Sequence, residues 1–165
     1  MSIDQDIAVI ATQEARLQFP SFDAEAAWRL GNRLRAAAAA RAAAVTLDIW
    51  LGTQQLFFSA MPGTSPDNAE WARRKRNVVL RFHRSSYAVG LELARRQTSL
   101  REKYGLTEHD HAAHGGCFPL NLRGTGCVGT IAVSGLPQRE DHELIVAVLA
   151  LEIGVPCREV ALPPA

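Results

Sequence analysis

The chain has 165 residues and a formal net charge of +1, with 47% hydrophobic and 21% charged residues. That balance fits one domain with an ordinary core and excludes a disordered or fibrous chain. Near-neutral charge gives no global attraction to nucleic acid or an anionic membrane, and no apolar run is long enough to cross a bilayer. Asp4 and Asp6 are unlike a signal or transit peptide, so a cytoplasmic location is expected. Cys117, Cys127 and Cys157 are too scattered for a disulfide framework and form no Cys-x-x-Cys pair. Cys117 and Cys127, on two neighbouring predicted strands, read as small buried hydrophobes.

In chain order, Ile7, Ile10, Ala11 and Leu17 recur at helical spacing and predict an amphipathic helix over residues 4–18, ended by Pro20. Ser21 or Asp23 can cap a second helix over 23–43, which carries Trp28, Leu34 and the alanine run 36–40. Val45–Leu51 alternates apolar residues with Thr46 and Asp48. Gly52-Thr53 then turns the chain into a second strand over 55–60, completing a hairpin. Pro62, Gly63 and Pro66 mark a loop.

Asp67 or Asn68 can cap a helix to Phe82, and Ser85 or Ser86 one to Arg96. A polar, histidine-rich loop runs from Glu108 to His114. Strands over 116–122 and 126–133 follow, joined at Arg123-Gly124-Thr125. A last helix from Gln138 stops at Gly154, and Val155–Leu162 is expected to add an edge strand. Two hairpins separated by helices predict a mainly antiparallel sheet covered on both faces. The expected fold is a single-domain α/β (α+β) three-layer α/β/α sandwich spanning residues 1–165.

Three groups of residues can carry chemistry. The glycine-jointed end region contains Gly115, Gly116, Cys117, Ser134 and Gly135. Glycine lets backbone approach a ligand or another subunit closely, so this is either a structural corner or the wall of a pocket. Glu140, Asp141 and Glu143 open the following helix, which suits self-capping better than phosphate binding. No Walker Lys-Ser/Thr follows, and no G-x-G-x-x-G opens a βαβ unit, so neither familiar kind of nucleotide site is indicated.

The second group is the basic run Arg73, Arg74, Lys75 and Arg76. Successive helical side chains rotate by about 100°, so these cannot all face the core. They form a solvated face, or they meet an acidic partner, an anion or another subunit. The third group is the loop with His109, His111 and His114. Imidazoles suit a transition metal or haem iron, although the spacing matches no standard zinc motif. Ser134, Cys117, Ser85 and Ser86 sit in no nucleophile elbow, so a hydrolase is not indicated.

The segments Asp67–Val79, Ser85-Ser86, His114–Pro119 and Val133–His142, in this order, resemble the UPF0303 group. That group is a branch of the haem-degrading, GlcG/HbpS-like superfamily. The resemblance implies a profilin-like fold with a five-stranded antiparallel sheet and homo-oligomers built from dimers. It also makes haem a candidate cofactor, because relatives bind it. The expected function is a cytoplasmic binding protein for a small molecule or haem, with no reaction assigned to particular residues. Gly115, Gly116, Cys117, Ser134 and Gly135 would wall the pocket. His114 is the first choice as metal or haem ligand and His111 the second. The rival is a scaffold without ligand chemistry, making contacts through Arg73, Arg74, Lys75 and Arg76. Neither nucleic acid nor a membrane is an expected partner.

Overall fold

Short polar side chains set most helix starts. In the computed structural model, which describes residues 2–164, Ser2 accepts from the Gln5 N–H at the start of α1 (Ile3–Arg16). Asp23 does the same for Ala26 in α2 (Ala24–Ala40). Ser65 and Asn68 form a reciprocal capping box for α3 (Pro66–Phe82), with proline at the first helical position. Ser85 caps α4 (Ser86–Arg95). A second box, Ser99 with Glu102, starts the short α5 (Leu100–Tyr104), an element not anticipated from periodicity because it is a single turn. Its S-x-x-E signature was nevertheless readable.

The strands are β1 (Gln18–Phe19), β2 (Thr46–Leu51), β3 (Gln54–Ala60), β4 (Cys117–Leu122) and β5 (Gly126–Ser134), followed by α6 (Gln138–Ile153). They form one five-stranded sheet in the order β1-β4-β5-β2-β3. The expected three-layer architecture is present, but the sheet is mixed rather than antiparallel throughout. Gln18 and Phe19 pair in parallel with Asn121 and Leu122. The fifth strand is therefore β1 and not the expected Val155–Leu162. That C-terminal stretch forms a 3-10 turn at Cys157–Glu159 after Pro156, and the N–H groups of Val160 and Ala161 return to the Cys157 carbonyl. Its apolar residues Val160 and Leu162 are buried without strand pairing.

Alternation along the strands gives the sheet two unlike faces. Leu47, Ile49, Phe118, Leu120, Ile131 and Val133 form an apolar face packed with α2 and α6. The other face meets α3 through small side chains, Ala72, Val79, Cys117 and Ala132. It also carries a polar cluster. Asp48 accepts from Trp50, Gln55 and Arg76 at 2.7, 2.8 and 2.6 Å, and the Arg76 guanidinium lies 4.3 Å over the Trp50 ring. Among the described residues no helix is long and apolar enough to cross a membrane.

α6 is tied to α1 by a buried polar contact. His142 Nε2 lies 2.8 Å from Gln13 Oε1, and Gln13 Nε2 donates to the Val160 carbonyl at 2.6 Å. The ring is fully buried between Tyr87 and Phe118. Burial, assisted by Arg139, pushes its pKa down to about 3, so the folded protein holds it neutral. The unfolded chain takes up a proton near the ordinary value of about 6.5. Stability present above that pH is therefore lost as pH falls towards 3. This ring should cost about 2 kcal/mol of stability between pH 7 and pH 5. Urea unfolding of His142→Gln, which keeps an amide for Gln13 but does not titrate, should lack that part of the loss.

Candidate functional site

Two cavities meet at one pair of rings. Trp71 on α3 and His114 in the loop before β4 stand edge to face with centroids 5.3 Å apart, and both residues line both cavities. The larger cavity, about 380 Å³, is bounded by Leu93, Ala94 and Leu100 together with Arg74, His111 and Ala113. The smaller, about 280 Å³, is polar and is bounded by Asn68, Lys75, Ser134, Gln138 and Asp141. Apolar walls with a few convergent polar groups are the usual form of a small-molecule site.

Lys75 sets the floor of the polar cavity. It lies one turn from both Ala72 and Val79, on the stripe of α3 that faces the sheet, and is only 3% exposed. Its ammonium donates to Asp141 Oδ2 at 2.9 Å and to the Val133 carbonyl at 3.2 Å. Asp141 is 1% exposed and also accepts from the N–H groups of Leu136, at 2.9 Å, and Gly135, at 3.4 Å. It caps the turn that leads into its own helix. Burial pushes this carboxyl upward, against the pull of Lys75 and the two N–H groups.

The other basic residues of the run are also engaged within the chain. Arg73 bonds Glu70 and Asp110, each at 3.0 Å. Arg74 lies 4.1 Å over the Trp71 ring and donates to the Glu108 carbonyl. Arg76 is held by Asp48. The sequence placed these side chains around the helix correctly, but a buried lysine was not expected. The available signal was position 75 itself, spaced with Ala72 and Val79 on an otherwise apolar stripe.

The glycines approach protein atoms rather than open space. A Cβ on Gly115 would stand 2.0 Å from the Gln138 carbonyl oxygen. At Gly116, with φ +121°, it would lie 2.4 Å from the Val133 carbonyl and 2.5 Å from Lys75 Nζ. Ser134 and Gly135 do line the polar cavity. Gly115, Gly116 and Cys117 are buried in its frame instead. Ser86 bonds both backbone groups of Cys117, accepting from its N–H at 3.0 Å, and burial pushes that thiol up and out of the reactive range.

His111 and His114 are brought to the same cavity. His111 Nδ1 is buried without a hydrogen-bond partner among the described residues. Partial burial, followed by the charges of Lys75 and Arg74, lowers the pKa of His114 and favours its neutral, ligating form. His109 instead stands exposed beside Asp110 at 3.1 Å. Among the described residues no group of three or more His, Cys, Asp or Glu side chains is placed to hold a metal ion. The cavity's two imidazoles, apolar side chains and flanking arginine are the residue types that haem requires, an axial nitrogen and cover for its ring.

The HbpS-like haem-degrading protein family matches residues 22–150. A UPF0303 protein of Azotobacter vinelandii is 60% identical over 98% of both chains. The crystal structure of Ybr137w protein has a TM-score of 0.84 and 27% identity, with 90% of this chain and 87% of that one aligned. The haem complex of PduOC shares the fold, with a TM-score of 0.67 and 14% identity, over 79% of this chain and 94% of its own. The chain belongs to the HbpS-like haem-degrading protein family and is similar along its whole length to the UPF0303 proteins.

Proposed function

We propose that this protein binds a small ligand at the junction of the two cavities, and that haem is the ligand of the larger one. The observation carrying this reading is the pair of imidazoles on one apolar cavity, His111 with an unpartnered nitrogen and His114 biased towards neutrality. The haem seen with PduOC, a protein of the same fold, supports it. His114 would hold the iron, with His111 as the alternative axial group. Leu93 and Leu100 would cover the ring, and the Arg74 guanidinium would face a propionate. Bound haem supplies a redox-active iron; the protein's part is to orient it, shield it from water and keep one imidazole unprotonated.

A cytoplasmic location and self-association into dimer-built oligomers belong to the same reading. The scaffold alternative draws less support, because Arg73, Arg74, Lys75 and Arg76 all have partners in their own chain.

Titration with hemin should give a saturable Soret shift. His114→Ala should weaken binding by at least tenfold and His111→Ala by less; full affinity in both variants would overturn the ligand assignment. Protonation of His114 competes with iron. Because its pKa is lowered, binding should hold as pH falls past the ordinary imidazole value of about 6.5 and fail only below it. Absorbance titrations across that range test the sign.

A further inference from the structure

The polar cavity has used up most of its acceptors and kept its donors. Asp141 accepts three hydrogen bonds, from Lys75 and the N–H groups of Gly135 and Leu136. Asn68 Oδ1 accepts from the Ser65 N–H at 2.9 Å, and Gln138 Oε1 from the Gly115 N–H at 3.1 Å. A backbone N–H can only donate, so these two bonds fix which end of each amide is oxygen. The NH2 groups are what remain. Asn68 Nδ2 reaches only the Ser134 carbonyl, at 3.5 Å, and Gln138 Nε2 has no partner among the described residues. Lys75 carries three N–H bonds and donates two within the protein. The Trp71 indole N–H also has no acceptor among the described residues.

We propose that this cavity is a carboxylate-binding site. Lys75, Asn68 and Gln138 supply donors, and the ammonium makes one of those bonds charge-assisted. The Lys75–Asp141 pair fixes the ammonium at the floor, so its third N–H is available without further ordering. Ser134, only 3% exposed, adds a hydroxyl to the lining. One group opposes this arrangement. Asp67, exposed on the rim, has no ion-pair partner among the described residues and repels an anion. The carboxylate is either a free small acid or a propionate arm of haem seated next door. The inference does not depend on iron ligation by His114 or His111.

Calorimetric titration with propionate, propionamide and propylamine tests the chemistry, and hemin against hemin dimethyl ester tests the source. A free-acid site predicts saturable binding of propionate, with the amide and amine at least tenfold weaker. A haem-borne carboxylate predicts no propionate binding, but hemin at least tenfold tighter than its dimethyl ester. In either case Asn68→Asp and Gln138→Glu should weaken the carboxylate ligand at least tenfold. Each keeps the oxygen that its backbone N–H needs while replacing the donor. Asp67→Asn should strengthen binding severalfold, a change that misfolding would not produce. The proposal is overturned if the wild type binds neither propionate nor hemin, or if it does not distinguish acid from amide and ester. It is equally overturned if Asn68→Asp and Gln138→Glu bind like the wild type. Loss of hemin binding in His114→Ala, with donor-dependent propionate binding intact, separates this site from the iron assignment.

Discussion

The buried ion pair between Lys75 and Asp141 is the constraint on which the site is built. Two charges leave water together, and isolating either would cost several kcal/mol, roughly 3–5 when one partner of a buried pair is removed. The pair is tolerable because each member is hydrogen-bonded a second time, Lys75 to the Val133 carbonyl and Asp141 to the turn N–H groups of Gly135 and Leu136. One contact thereby joins α3, the end of β5 and the start of α6. Together with the Val133 carbonyl, 2.4 Å from where a Cβ would stand, it leaves no room for a side chain at Gly116. A side chain there would meet Lys75 Nζ at 2.5 Å and Asp141 Cβ at 2.9 Å, in a backbone conformation that already favours glycine.

Around that pair the structure separates charge from apolar surface. The four consecutive basic residues of α3, Arg73 to Arg76, are each assigned to a different neighbour: Asp110, the Trp71 ring, Asp141 and Asp48. Two of these positive groups, Lys75 and Arg74, lie near enough to His114 to discourage its protonation. The same helix thus forms a wall of both cavities and biases the imidazole between them. Its polar seating on the sheet, through Asp48 and Arg76, contrasts with the mainly apolar packing of α2 and α6 on the other face. Such directional contacts hold α3 in one register, which a layer of methyl groups alone would do less selectively.

Much of the fold was legible in local sequence. The caps at Asp23 and Ser85, the two hairpin turns at Gly52-Thr53 and Arg123-Gly124-Thr125, and the apolar periodicity placed the main helices and four of the strands, although α3 starts from Ser65 rather than the expected Asp67 or Asn68. The misses share a cause. β1 is two residues long and exists only because Asn121 and Leu122 lie beside it. Val155–Leu162 has a strand-like apolar pattern, but its N–H groups close a local turn and its apolar residues are buried without pairing. A pattern of apolar residues reports what must be buried, and says nothing of which backbone partner is available.

The candidate site divides along the same line. The sequence by itself determined that the glycine-jointed segment around Gly115 and Gly135 must bend sharply, that His111 and His114 share a loop, and that positions 73–76 point around a helix. These are consequences of local geometry and residue chemistry. Only the tertiary structure decided that Lys75 turns inward to an aspartate 66 positions away, that the glycines yield space to protein atoms, and that His114 joins Trp71 where two cavities meet. Those outcomes depend on which distant surfaces become neighbours and on the removal of water between them, and that is settled by packing rather than by sequence spacing.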